Sequence, residues 1–166
     1  KGGLNNLIEK QKSAPGECLF TLIQFDDQYE IVHNGVNIQA VGECSLSPRG
    51  STALFDAIGK TIVTVGERFE KMKEEDRPGL VIFVIVTDGG ENASLEFKSK
   101  DKIKEMITHQ TDVYKWNFTF LGSNQDGFAE GTSLGINSSA TYTNTENAFL
   151  AGNDKIYRMR SCYSRG

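Results

Sequence analysis

The chain has no long hydrophobic run and no excess of basic residues. Its longest apolar stretch, Leu80–Val86, has the length of a buried strand and falls well short of the roughly 20 residues that span a membrane. Lysine and arginine number 18 against 22 acidic residues, giving a net charge of -4. Nucleic acids and anionic membranes are bound by basic faces, so we expect neither kind of partner.

Cysteine is also scarce. Cys18, Cys44 and Cys162 form no Cys-x-x-Cys pair, and an odd number leaves one of them outside any disulfide scheme. This pattern favours a reducing compartment. We therefore expect three free thiols and a cytoplasmic location.

What is present is the composition of one soluble domain. A chain of 166 residues with 38% hydrophobic and 24% charged residues can bury a sizeable core. We assign residues 1–151 to one domain and residues 152–166 to a helix end or tail. The basic residues of this end, which we expect to be solvated, are Lys155, Arg158, Arg160 and Arg165.

Helical and strand-like patterns alternate along the chain. Helical stripes cover 3–12, 51–73, 100–110, 126–134 and a stretch from 145 towards 159. Strand-like runs cover 18–25, 80–87, 116–121 and 140–143, and Asn34-Gly35 between Tyr29–Val32 and Val36–Val41 predicts a hairpin. The alternation predicts an α/β, doubly wound (Rossmann-like), mostly parallel sheet with helices on both faces. Ser51 or Thr52 is expected to cap the long helix.

Polar residues concentrate in three loops that follow predicted strands or precede the long helix. Because ligands of doubly wound sheets bind beyond the carboxyl ends of the strands, these loops are the candidate site. They are Asp26-Asp27, Arg49-Gly50-Ser51-Thr52 and Thr87-Asp88-Gly89-Gly90-Glu91-Asn92. Their candidate ligands are all oxygens, which suits Mg²⁺, Mn²⁺ or Ca²⁺ better than Zn²⁺.

Two of these loops resemble those of a known family. Gly50-Ser51-Thr52-Ala53-Leu54-Phe55-Asp56-Ala57 resembles the second metal loop of von Willebrand factor type A (VWA) domains, and Val86–Asn92 resembles the third. The likeness covers roughly Gly2 to Ala151 and is greatest to bacterial and phage members. It implies a protein-binding module with a metal-ion-dependent adhesion site and no enzyme activity. In that site Thr52 supplies a hydroxyl, Asp88 binds the cation directly or through water, and a protein partner's acidic residue completes the coordination.

The sequence departs from the family at its beginning. It lacks the first metal loop, Asp-x-Ser-x-Ser, and the first strand, which in the family lies between the strands predicted at Cys18–Phe25 and Leu80–Thr87. A gap there would leave backbone groups unpaired in the core, which a stable domain does not tolerate. We expect the parent protein to carry an apolar strand and this loop just before Lys1, or another chain to supply the strand. As written, the chain does not hold every ligand of the site.

Two other function classes remain open. One is a Mg²⁺-dependent phosphoryl-transfer enzyme on the same architecture, with Asp26, Asp27 and Asp88 as its acids. The other is a metal-free interaction domain whose site has degenerated. A metal titration combined with an activity screen distinguishes the three.

Overall fold

The computed structural model describes residues 2–45, 52–123 and 126–164. The described helices are α1 (Gly2–Ser13), α2 (Leu54–Glu70), α3 (Lys100–Tyr114), α4 (Gly127–Ser133) and α5 (Thr145–Ser164). The described strands are β1 (Leu19–Phe25), β2 (Tyr29–Asn37), β3 (Ile82–Thr87), β4 (Asn117–Ser123) and β5 (Ser138–Tyr142). The mixed α/β class predicted from the sequence is confirmed.

The strands form two sheets instead of the single sheet that the sequence predicts. β3, β4 and β5 lie side by side in that order and run parallel, with Ile82 opposite Asn117 and Thr119 opposite Ser138. β1 and β2 form a separate antiparallel pair. The larger sheet places the carboxyl ends of its three strands at one edge.

The predicted hairpin at Asn34-Gly35 is wrong. β1 and β2 are joined instead at residues 26–28, where the Asp26 amide donates to the Gln28 carbonyl, and β2 runs on through Asn34 and Gly35. The register shifts opposite this point, and Gly35 has a φ of 66°. A bulge of this kind requires the same left-handed glycine as a tight turn. The Asn-Gly pair therefore marks a left-handed residue correctly, but that residue belongs to a bulge and not to a hairpin turn.

Side chains of β3 alternate between two apolar clusters, as expected for a strand covered on both faces. Ile85 packs with α2 and α3 in the first cluster, and Val86 packs against α1 and α5 in the second. The buried members of the first cluster are Leu54, Phe55, Ile58, Ile62, Val65, Ile85, Ile103, Ile107, Trp116, Phe118, Phe120, Leu134 and Ile136. The buried members of the second are Leu4, Leu7, Ile8, Ile38, Val41, Cys44 and Phe149.

The last helix is longer and more buried than the sequence suggested. α5 continues to Ser164, beyond the predicted end near residue 159, and Arg160, expected to be solvated, is buried. Arg165 lies outside the described residues. None of the described helices is both long and apolar enough to cross a membrane. None of the three cysteines, all of which lie within the described residues, takes part in a disulfide, as the sequence predicts.

Candidate metal and binding site

A cavity of 1590 Å³ lies between β1 and β3 and is lined by every residue of both strands. Helices α1 and α5 line it from one side and α2 from the other. At the carboxyl ends of the strands its lining includes Thr52, Thr87 and Asp88. Two of the three candidate loops therefore meet at one end of one cavity.

The N-terminus of α2 is capped by the loop that follows β3. Its N-cap residue is Ala53, and no side chain of that residue caps the helix. The Phe55 amide donates to Glu91 Oε1 at 2.8 Å, and the Asp56 amide donates to Ser94 Oγ at 2.9 Å. These amides belong to the orphan donors that every helix start must satisfy. The prediction that Thr52 caps α2 is wrong, and Ser51, the other predicted cap, lies outside the described residues.

Asp56 ties the same loop down from the helix side. Its carboxylate accepts the amides of Leu95 at 2.8 Å, Glu96 at 3.0 Å and Phe97 at 2.7 Å. Burial raises the pKa of this carboxyl, but the three amide hydrogen bonds and the charge of Lys60 outweigh it, so the pKa lies below its usual range. The loop is therefore fixed to α2 by reciprocal contacts.

The backbone of Thr52 is fixed by hydrogen bonds, whereas its side-chain hydroxyl forms none within the described residues. Its amide donates to Asn92 Oδ1 at 2.9 Å, and its carbonyl accepts the Asn92 amide at 2.9 Å and the Ala93 amide at 3.2 Å. The residue is 8% exposed, and within the described residues its Oγ1 forms no hydrogen bond. A Cβ placed on Gly89 would lie 3.1 Å from this oxygen. This oxygen is not among the described side-chain atoms that are both buried and unpaired, so it is open to water or to a ligand.

Asp88 is exposed, and within the described residues its carboxylate forms neither a hydrogen bond nor an ion pair. The turn that follows β3 is closed by Thr87 instead, whose hydroxyl donates to the Gly89 carbonyl at 2.8 Å. The alternative in which Asp88 merely closes an Asp-Gly turn therefore has no hydrogen bond to support it.

The remaining candidate acids, Asp26 and Asp27, are not among the described residues of the cavity lining. Asp26 is buried and accepts the Gln28 amide at 2.6 Å through Oδ1, which closes the turn between β1 and β2. Its carbonyl accepts the Ala53 amide at 2.6 Å and so positions the chain before α2. Asp27 is exposed, and neither aspartate is among the described residues that line the cavity.

The donor chemistry at this end fits a hard divalent cation, although the set is incomplete. Thr52 and Asp88 offer one neutral and one charged oxygen, whereas Mg²⁺ prefers six oxygens in octahedral geometry. Across the described part of the chain there is no cluster of three or more His, Cys, Asp or Glu side chains able to hold a metal. A cation here would need water, a partner or a further segment for its other positions.

Sequence reasoning missed the residues that hold the site in place. Glu91, Ser94 and Asp56 join the loop after β3 to α2, although only Asp56 carries a local signal, an acidic side chain in the first turn of a helix. The other two act across about 40 positions, where no periodicity points to them. Comparison with protein-family models, curated proteins and solved structures finds no match to this chain.

Proposed function

We propose that this chain is a VWA-type protein-binding module in which Thr52 and Asp88 hold a divalent cation for a partner's carboxylate. The observation that carries the proposal is that the Thr52 hydroxyl and the Asp88 carboxylate, which form no hydrogen bond within the described residues, lie at the same end of one cavity. The likeness of both loops to VWA metal loops supports this choice of family. A cation, when bound, would supply the positive charge that attracts an acidic side chain.

The finer fold assignment is part of this proposal. The two sheets would be the two halves of one doubly wound, Rossmann-like sheet. Its strand order would be β2, β1, β3, β4 and β5, with the cavity lying between β1 and β3. The two apolar clusters on opposite sides of β3 support helices on both faces. In such sheets ligands bind beyond the carboxyl ends of the strands, where Thr52 and Asp88 lie. Three cysteines outside any disulfide support a cytoplasmic location.

Capture of a ligand agrees better with this arrangement than phosphoryl transfer. Of the three acids that an enzyme would use, Asp88 is the one found among the described residues of the cavity lining. Asp26 accepts the Gln28 amide in its own turn, and Asp27 is not among the described residues that line the cavity. We therefore propose binding without turnover.

Mn²⁺ titration followed by NMR tests the metal site, because this paramagnetic ion broadens nearby amide signals even when it binds weakly. Broadening is expected at the amides of Thr52 and Gly89. Asp88→Ala should lower the affinity at least about tenfold, the loss expected for one contact with a charged group, and Thr52→Val should lower it less. Asp27→Ala is the matched control, since it removes a nearby carboxylate that does not line the cavity. Equal broadening in wild type and Asp88→Ala would refute the site.

Carboxylate capture is tested separately with short peptides. Gly-Asp-Gly with an acetylated N-terminus and an amidated C-terminus should shift the Gly89 amide signal in the presence of Mg²⁺ but not after chelation with EDTA. Gly-Asn-Gly blocked in the same way, which has the same shape and no charge, should produce no shift under either condition. A shift that is independent of Mg²⁺ would contradict capture through a metal.

A further inference from the structure

The bulge in β2 takes two residues out of the regular pairing with β1. At the register shift, Asn34 and Gly35 together lie opposite Thr21 alone. Gly35 has a φ of 66°, and its amide donates to Thr21 Oγ1 at 3.0 Å. Asn34 is exposed to solvent. An Asn-Gly pair therefore lies at the surface, outside the paired positions of the strand.

Arg68, in the last turn of α2, reaches across to this bulge. Its Nη1 atom donates to Asn34 Oδ1 at 2.6 Å and to Thr21 Oγ1 at 3.1 Å. A Cβ placed on Gly35 would lie 2.6 Å from the same nitrogen. One positively charged group therefore lies against both members of the Asn-Gly pair and against the hydroxyl that accepts the Gly35 amide.

The guanidinium of Arg68 lacks a carboxylate partner. Within the described residues it forms no ion pair, and its Nε atom is buried without a hydrogen-bond partner. Burial lowers the pKa of this guanidinium, because the positive charge is partly removed from water. An opposite charge next to a partly buried cation offsets this desolvation. A carboxylate at position 34 would supply that charge.

Asparagine before glycine can lose ammonia with water as the only reagent, because glycine has no Cβ to obstruct its nitrogen. The Gly35 nitrogen gives its proton to solvent and attacks Asn34 Cγ, which closes a cyclic imide (succinimide). The bond from Cγ to Nδ2 breaks, and the leaving nitrogen takes up a proton from solvent as ammonia. Water then opens the ring and leaves a carboxylic acid. One water is consumed and one ammonia is released, with no oxidation or reduction.

Arg68 is placed to assist both steps. Each passes through an anion whose charge develops on Asn34 Oδ1, the atom to which Nη1 already donates. A fixed, charged donor at such an oxygen stabilises the transition state, as in an oxyanion hole. During hydrolysis the same donor directs water to Cγ, because Cγ carries this oxygen. Opening the ring there restores the normal backbone and yields aspartate, whereas opening at the other carbonyl yields isoaspartate.

We propose that Asn34 is a self-modification site at which Arg68 promotes deamidation in the folded protein, and that the aspartate formed becomes the carboxylate partner of Arg68. The modification replaces a neutral hydrogen-bond acceptor on β2 with a charged one, so it strengthens the contact between β2 and α2. This site lies at the opposite end of α2 from Thr52, and the proposal does not depend on the metal site.

Deamidation of the folded and the urea-unfolded protein in mildly alkaline buffer tests the proposal. Peptide mass spectrometry measures the acid formed at Asn34, and chromatography separates aspartate from isoaspartate. Asn34 should react faster in the folded protein than in urea, where Arg68 is no longer held beside it, and its isoaspartate share should be lower. Slower reaction in the folded protein, or an equal isoaspartate share in both states, would overturn the proposal.

Arg68→Gln is the matched variant. In protein that is folded by circular dichroism, it should slow deamidation of Asn34 at least about tenfold, because a donor to the developing oxyanion is lost. In urea it should have no effect. Asn137, which is exposed and followed by Ser138, is the internal control and should react at the same rate in both proteins. Equal rates at Asn34, or an equal slowing at Asn137, would refute the role of Arg68.

The ion pair is tested separately with Asn34→Asp, which carries the product from the start. This variant should raise the urea midpoint, and the rise should disappear when Arg68→Gln is also present. An unchanged midpoint in Asn34→Asp, or an equal rise in both backgrounds, would overturn the pairing of the product with Arg68.

Discussion

Replacing Asp56 tests the contacts that fix the loop after β3. The carboxylate of this residue accepts three amides, those of Leu95, Glu96 and Phe97. A hydrogen bond to a charged group contributes about 1.5–3 kcal/mol. Leu95 and Glu96 are exposed, so their amides can turn to water, whereas Phe97 is half-buried. We therefore expect Asp56→Ala to lower the free energy of unfolding by about 2–4 kcal/mol, less than three full bonds.

The stability that Asp56 contributes should decrease as the pH falls. Burial raises the pKa of Asp56, but the amide hydrogen bonds and Lys60 outweigh this and hold it below its usual range. The stabilisation by the carboxylate is therefore complete above the pKa of an unfolded aspartate, about 3.9. It is lost as the pH falls through the lower pKa of the folded state. Asp56→Asn, which keeps the shape without the charge, should differ most from wild type near neutral pH.

Urea unfolding of wild type and Asp56→Asn between pH 7 and pH 2.5 measures this difference. The gap in unfolding free energy should be constant above about pH 5 and should narrow below about pH 4. Asp101→Asn, an exposed acid in the first turn of α3, is the control and should change stability by less than about 0.5 kcal/mol. The assignment of this stability to the Asp56 carboxylate would be refuted by a difference in unfolding free energy that stays the same at every pH. It would also be refuted if Asp101→Asn showed the same pH-dependent loss.

Three further predictions concern single positions. Gly35→Ala should lower stability by about 1–2 kcal/mol, because its φ is 66° and its Cβ would lie 2.6 Å from Arg68 Nη1; Gly42→Ala, with nothing within 4 Å, should not. Glu91→Ala should cost about 1–2 kcal/mol in urea unfolding by uncapping α2, and Glu91→Gln, which still accepts a hydrogen bond, should cost less. Alkylation followed by mass spectrometry should count three thiols before and after reduction, and a rise after reduction would contradict the free cysteines.

The regular elements could be predicted from the sequence because their signals are local. The apolar run at residues 80–87 and the period of the long helix both depend on neighbours within a few positions. The cap of α4 is equally local, since the Asp126 carboxylate accepts the Ala129 amide three residues on at 3.1 Å. Asn34-Gly35 failed for an instructive reason. A bulge and a tight turn need the same glycine conformation, and only pairing with β1 distinguishes them.

The site itself was only half predictable. Thr52 and Asp88 could be named from loop patterns, but their freedom to bind depends on which partners the rest of the chain provides. α2 takes its caps from Glu91 and Ser94, far along the sequence, and this leaves the Thr52 hydroxyl unused. The turn after β3 is closed by Thr87, which leaves Asp88 unused. No local rule assigns those partners, since each is a tertiary contact.

The same contacts explain why the candidate site should keep its shape without a ligand. The position of Thr52 is set by Asn92, and the loop carrying Asp88 is joined to α2 through Glu91 and Asp56. None of these hydrogen bonds uses the Thr52 hydroxyl or the Asp88 carboxylate. Removing either oxygen should therefore leave the loop in place, so a loss of cation binding in Asp88→Ala could be assigned to the lost carboxylate and not to a displaced loop.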